Sequence, residues 1–401
     1  MYIELALLAI FTFGYSLISR RVEHLPISGP IIFVTAGIVL GPLGLGWFAD
    51  DVTVPQFRAL VDITLALILF TDAAHARTSV LVGHMGIPIR MLALGLPGAI
   101  LLGTCLALLL FPQFTIYEAA LLGTMLAATD AALGKAVISN EDVPERLREG
   151  LNAESGLNDG LCVPILLIFL ALASGGGGEH GDSSPIALVV REIGIGLAVG
   201  LVVAGSGGWL LKVFAAKDWV SPVWAQLSVP ALALICFAVA QESHGSGYIA
   251  AFCGGMLFGS IAGKHTHELA MPGEGISEGL AMMTWMIFGI GVVGQSLQYF
   301  SWQIVVYALL SLTVVRMLPI FLSLAGSGES TANKLFLGWF GPRGLASIVF
   351  VIIVMDAFLP AGHPIAMTVV CTVGLSLLLH GITANPLAKW IARRQPAEQN
   401  N

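Results

Sequence analysis

An otherwise apolar stretch, LNAESGLNDGLCVPILLIFLALA over residues 151–173, holds beyond Asn152 a cluster of oxygen-bearing side chains, Glu154, Ser155, Asn158 and Asp159. In a helix, Ser155 and Asp159 lie on one face and Glu154 and Asn158 on the adjacent one, because residues four apart are neighbours. Oxygen donors suit a hard monovalent cation. A carboxylate withdrawn from water holds its proton more tightly than in solution, so it can exchange a proton near neutral pH. The preceding run, GTMLAATDAALGKAVI, is interrupted in its middle by Thr129 and Asp130. Ser155 and Thr129 alone would pass as polar contacts between packed helices. Three carboxylates within one apolar region exceed what such packing needs. Late in the chain, LGWFGPRGLASIVFVIIV carries a second interruption, Gly341-Pro342-Arg343-Gly344. Pro removes a backbone donor there, and Arg343 is expected to require a carboxylate partner if it cannot reach water.

The elements that carry these residues follow from composition. Of 401 residues, 56% are hydrophobic and 11% charged, against about 25% charged in soluble domains. Mean hydropathy is +0.88. Such a chain is expected to be an all-α polytopic membrane protein. About thirteen spans of suitable length are predicted: 1–19, 28–48, 57–74, 87–111, 116–138, 151–174, 188–214, 224–242, 246–263, 276–298, 302–324, 333–358 and 364–385. Loops after odd-numbered spans hold Arg20, Arg21, Arg77, Arg90, Arg146, Arg148, Lys212, Lys217, Lys264, Lys334, Lys389, Arg393 and Arg394, whereas the opposite side holds only Arg58 and Arg191. The basic side should face the cytoplasm of a cell (inner) membrane, with the N-terminus outside and the C-terminus inside. Glu4 precedes the first apolar run and Arg20–Arg21 follow it, the reverse of a signal peptide, so that segment is expected to be retained. Trp47, Trp219, Trp302 and Trp390 fall near span ends, where interfacial anchors belong.

Several classes of protein are excluded. The net charge is −7 with no basic tract, which argues against nucleic acid as a partner and leaves membrane lipid. Five cysteines, at 105, 162, 236, 253 and 371, lie in apolar runs without CxxC spacing, so no disulfide scaffold or zinc site is expected. No cofactor is expected either. Gly175–Gly178, followed by Glu179, His180 and Asp182, reads as an external flexible linker. The charged segment 140–150 reads as a cytoplasmic connector or a regulatory loop.

The two halves align at an offset of 218: Ser28, Gly29, Ile31, Gly37 and Gly41 meet identical residues at 246, 247, 249, 255 and 259, and LALILF (65–70) meets MTWMIF (283–288). These are spans 2 and 9, then 3 and 10. An odd separation of seven spans makes each pair antiparallel, so the repeat has inverted topology, with a substrate site expected at the midplane where interrupted helices meet. The two interruptions, in spans 5 and 12, obey the same separation and are expected to form two crossed discontinuous helices. Asp130 would neutralise their positive ends and Arg343 oppose the negative ones. The organisation expected is one transporter domain over 1–385, with repeat one at about 1–174, a linker helix at about 188–214 and repeat two at about 224–385. A short cytoplasmic tail, 386–401, would follow.

The stretch ATDAALGKAVISNEDVPERLREGLNAESGLNDG, together with the later GPRG, resembles the signature of NhaP-type sodium/proton antiporters of the cation:proton antiporter superfamily, in the branch with an Asn-Asp motif. The resemblance covers essentially the full chain and implies a homodimer with an elevator-like motion of the ion-binding bundle. It implies that Asp159 binds cation or proton, that Asn158 supports the site without charge, and that Thr129 and Ser155 offer oxygens, so that Na⁺ would sit at Asp159, Ser155 and Thr129. It also implies that Glu154 pairs with Arg343 and that Asp130 balances the helix ends. Members often carry an acidic residue near the end of span 3. Here that is Asp72, a candidate ion-site contact, with Asp62 competing.

The expected activity is exchange of a monovalent cation (Na⁺, otherwise Li⁺ or K⁺) for H⁺ by competition at one carboxylate, electroneutral because position 158 is Asn. The main alternative is a sodium-coupled organic-anion symporter of the same architecture. An intramembrane protease is disfavoured: the residue two before Ser155 is Ala153 rather than Gly, and no GxGD is present. Enzymatic activity is therefore not expected, and the short tail argues against a nucleotide-binding regulatory domain. Arg316 reads as a snorkelling residue or a partner of Glu278. His380 reads as a hydrogen-bonded packing residue before a pH sensor. Asp356 and His363 read as solvated, and Glu242–His244 as a polar turn.

Overall fold

A computed structural model describes residues 2–23, 28–48, 54–80, 86–138, 140, 142–175, 185–293 and 296–394. Among these residues there is no strand. The helices are α1 (Tyr2–Glu23), α2 (Gly29–Leu40), α3 (Val54–Val80), α4 (Gly86–Leu110), α5 (Ile116–Met125), α6 (Ala131–Ile138), α7 (Glu145–Ala173), α8 (Pro185–Ala216), α9 (Pro222–Glu242), α10 (Gly247–Ala262), α11 (Thr266–Val293), α12 (Trp302–Ser323), α13 (Thr331–Trp339), α14 (Leu345–Asp356) and α15 (Gly362–Ala392). Seven of them (α4, α7, α8, α9, α11, α12 and α15) are long and apolar enough to cross a membrane, and α2, α10 and α14 are shorter apolar helices. The chain is a polytopic all-α membrane protein. The last helix outruns its predicted span, continuing to Ala392 across Pro386. Most of the proposed glycine linker, with Glu179, His180 and Asp182, lies outside the described residues.

The repeat seen in sequence reappears as reciprocal packing. Gly37 of α2 abuts the Met286 carbonyl of α11, and its counterpart Gly255 of α10 abuts the Phe70 carbonyl of α3. One turn on, Gly41 meets Ile290 and Gly259 meets the Ala74 carbonyl. A side chain at any of these positions would collide with backbone, so glycine is what lets the helix pairs approach. Glycine therefore admits a close backbone approach at matching positions of both halves.

Two bundles result. One packs α2, α3, α8, α9, α10 and α11 together; the other packs α4 to α7 with α12 to α15. They meet where α3 lies along α7 and α14. In the second bundle, α4 and α12 each contain one π-helical turn, Met91–Gly95 and Ser311–Val315. A π turn inserts an extra residue and rotates the rest of the helix about its axis, and such turns recur at functional sites. Here the second one immediately precedes Arg316.

Candidate functional site

Both predicted interruptions are present. The first separates α5 from α6 at residues 126–130, and the second separates α13 from α14 at residues 340–344. Their backbones touch: the Asp130 amide donates to the Pro342 carbonyl at 2.8 Å. Breaking a helix in an apolar setting strands carbonyls and amides that must find partners. At the first break they are found in side chains from elsewhere. The Met125 carbonyl accepts from Ser347 at 2.8 Å, Ala127 from Asn158 Nδ2 at 3.2 Å, Ala128 from Arg343 Nη1 at 3.0 Å, and Thr129 from Ser155 at 2.9 Å.

Asp130 serves two helix starts. Its Oδ1 accepts from the Leu133 amide of α6 at 3.3 Å, and its Oδ2 from the Leu345 amide of α14 at 2.9 Å. One carboxylate thus caps both positive helix ends, in keeping with the charge balance expected of it. Gly344 is required at this point, since a Cβ there would overlap the Asp130 carboxylate. Arg343, fully buried, donates to the Ala128 carbonyl at the negative end of the first break.

The ion pair implied for Glu154 and Arg343 is not formed. Glu154 instead binds Arg316 in a two-pronged pair, Nη1 to Oε1 at 2.8 Å and Nη2 to Oε2 at 2.9 Å, with both residues 1% exposed. Arg343 engages a carbonyl where a carboxylate was expected, and its Nε and Nη2 have no hydrogen-bond partner among the described residues. The π turn at Ser311–Val315 turns Arg316 inward, so it neither snorkels nor stays at an interface. The guanidinium of Arg316 also packs on Gly341, whose missing side chain leaves it room. A charge in mid-span 11 is the only sequence signal for this partner, and an extra-residue turn is invisible to helical periodicity.

Around these supports lies the oxygen cluster. The Thr129 hydroxyl accepts from Ser155 at 3.2 Å and from Asn158 Nδ2 at 3.1 Å, while Asn158 Nδ2 also approaches Glu154 Oε1 at 3.0 Å. Cys162 donates to Asn158 Oδ1 at 3.2 Å. Asp159, 7% exposed, lies beside the Thr129 backbone, and its Oδ1 is buried without a hydrogen-bond partner among the described residues. The structure thus brings Asp159, Ser155, Asn158 and Thr129 to one place. Asp72 of α3 lies across the bundle boundary with its Cβ against Gly156, one turn from Asp159. Asp62 is elsewhere, accepting from Tyr248 at 2.6 Å beside Arg58, which also pairs with Asp356; both partners of that pair are exposed. His380 is buried and hydrogen-bonded, as its packing role predicts. Ser347, Ser376 and Cys162 also join the supports of the breaks, with no sequence signal to single them out.

An intramembrane carboxylate at crossed, broken helices is the mark of a secondary ion transporter. Comparison with known proteins agrees with that class. Residues 7–390 match the family described as sodium/hydrogen exchanger, transmembrane, and the chain belongs to that family. It is 24% identical over 399 residues to a K⁺/H⁺ antiporter NhaP of Alkalimonas amylolytica, covering 96% of this chain and 65% of that protein. A Na⁺/H⁺ antiporter of Schizosaccharomyces pombe is 24% identical over 338 residues, covering 80% of this chain and 71% of that protein. This chain therefore spans about two thirds of the length of the NhaP relatives it matches. The fold is similar to the solved structure of the sodium proton antiporter MjNhaP1 from Methanocaldococcus jannaschii, with a TM-score of 0.78 and 22% identity over 97% of this chain and 98% of that one.

Proposed function

We propose that the chain is a secondary antiporter exchanging a monovalent cation, Na⁺ or otherwise Li⁺ or K⁺, for H⁺. The observation that carries this reading is Asp159: a buried carboxylate with one oxygen unpartnered among the described residues, beside Ser155 and Thr129, at the crossing of two broken helices. A proton or a cation satisfies that oxygen, and either one excludes the other. Ser155 and Thr129 supply neutral oxygens for the cation, Asn158 orients them, and Asp72 lends a second carboxylate from the neighbouring bundle. Asp130, Glu154, Arg316 and Arg343 carry the structural charge. The names of the relatives, which include both K⁺/H⁺ and Na⁺/H⁺ antiporters, favour antiport and give no support to an organic-anion symporter.

The two-bundle architecture fits alternating access by rigid movement of α4–α7 with α12–α15 against the other bundle. We further propose a single transporter domain of thirteen crossings in a cell (inner) membrane, N-terminus outside and C-terminus cytoplasmic, assembled as a homodimer. With Asn158 uncharged, one proton trades for one cation and exchange is electroneutral.

Purified protein in vesicles containing a pH-quenched dye should dequench on addition of Na⁺, Li⁺ or K⁺, with one cation preferred. Silence with all three across pH 6–9 defeats the reading. An imposed membrane voltage should leave the rate and end point unchanged; a voltage-driven shift overturns electroneutrality.

A further inference from the structure

The second helix break is held by a device that the transport reading leaves unassigned. Three groups on the last helix grip it. The Arg343 amide donates to Ser376 Oγ at 2.7 Å, Ser376 Oγ lies 3.1 Å from His380 Nδ1, and His380 Nε2 lies 2.9 Å from the Trp339 carbonyl. The Trp339 carbonyl can only accept, so a neutral ring carries its hydrogen on Nε2 and takes the Ser376 hydroxyl hydrogen at Nδ1, which also lies 3.0 Å from the Ser376 carbonyl. Trp339 ends α13, so its carbonyl is one that the break strands. Its indole in turn donates to Thr383 at 2.9 Å. One face of α15 thus clamps residues 340–344 at both ends.

The offset of 218 that relates the two halves places Ser376 on Asn158 and His380 on Cys162. The contacts match. Asn158 reaches the first break at the Ala127 carbonyl and takes a hydrogen bond from Cys162, four residues on; Ser376 reaches the second break and bonds His380, also four residues on. At the position of Asp159 the second repeat has Leu377, which is buried. One repeat therefore pairs its clamp with the ion carboxylate, and the other keeps the clamp alone.

We propose that Ser376 and His380 are positioning residues for the ion site, acting through Arg343. They fix the backbone from which Arg343 reaches the Ala128 carbonyl, and Ala128 adjoins Thr129, whose backbone and hydroxyl face Asp159 and Ser155. Loosening the clamp displaces a ligand oxygen without removing one. Cation affinity then falls while the maximal rate is largely kept.

This inference rests on the antiport reading, and the test separates the two. The full chain is reconstituted in vesicles, and half-saturating cation concentration and maximal rate are measured with Na⁺ and with K⁺. Ser376→Ala and His380→Phe should each raise the half-saturating concentration about three- to ten-fold, the change expected for one lost hydrogen bond. His380→Gln, which retains a donor toward Trp339, should return it to within about two-fold of the wild type. The double variant should be no worse than the more severe single one, since both act through one relay. Thr368→Val, which removes only a hydroxyl bonded within its own helix, should change nothing. If His380→Phe does not fold, Ser376→Ala decides. A silent wild type overturns the antiport reading and this inference with it. An active wild type with unchanged half-saturation in Ser376→Ala, or an equal loss of maximal rate in His380→Gln and His380→Phe, overturns the inference alone.

Discussion

Replacing Arg316 by Ala is expected to be among the most damaging single changes in the molecule. The substitution removes the two arginine hydrogen bonds from the Glu154 carboxylate, which is 1% exposed, and leaves it Asn158 Nδ2 at 3.0 Å as its one partner among the described residues. Breaking a buried pair by deleting one partner costs about 3–5 kcal/mol, because the surviving charge stays buried without a hydrogen-bonded counter-ion. Equilibrium unfolding of purified protein in mixed micelles measures the loss. Adding Glu154→Gln to Arg316→Ala should recover part of it, since a neutral amide is cheaper to bury than an unpaired carboxylate. The double-mutant cycle between Glu154→Gln and Arg316→Ala should give a coupling of about 1–3 kcal/mol. With Arg343→Ala in place of Arg316→Ala, the coupling should be smaller, since Glu154 and Arg343 share no hydrogen bond and act on each other only through the field between buried charges. A Glu154–Arg343 coupling equal to or larger than that of Glu154–Arg316 would refute the pairing.

Asp159→Asn should abolish cation-dependent proton movement while the protein still purifies as a monodisperse species; retained exchange at normal affinity removes Asp159 from the centre of the mechanism. Asp130→Ala should cost about 1–4 kcal/mol, the sum of two lost helix caps, and Asp130→Asn distinctly less; equal losses in the unfolding assay would point to charge rather than capping. Gly344→Ala should sharply reduce the yield of folded protein, because its Cβ would overlap the Asp130 carboxylate, whereas Gly374→Ala, which meets nothing within 4 Å, should be neutral or slightly stabilising in the same assay.

Much of this organisation is legible in the sequence because membranes punish exceptions. A Thr-Asp or a Gly-Pro-Arg-Gly within an apolar run has few structural solutions, and both breaks fall where those residues place them. Glycines at 37, 41, 255 and 259 announce the repeat because close approach tolerates nothing larger. Helical spacing correctly brings Glu154 to Asn158 and orients Ser155 with Asp159. The partner of Glu154 is not legible in this way. Two arginines lie in apolar surroundings, and choosing between them depends on a π turn that no pattern of hydrophobicity reveals. Ser347, Ser376 and the clamping role of His380 are equally hidden: a hydroxyl or imidazole on an apolar helix looks the same whether it bonds its own backbone or a distant break.

The way the first break is satisfied has a consequence for reprogramming the protein. Ser155 and Asn158 each hold a stranded carbonyl of that break while standing beside Asp159. Neither can be exchanged to suit a larger or smaller ion without loosening the scaffold it belongs to. Freedom to vary therefore lies with residues that adjoin the cluster but support no helix end. Asp72, approaching from the other bundle, has that freedom. Directed change of ion preference should accumulate there first, and substitutions at 155 or 158 should survive only after the scaffold has gained stability elsewhere.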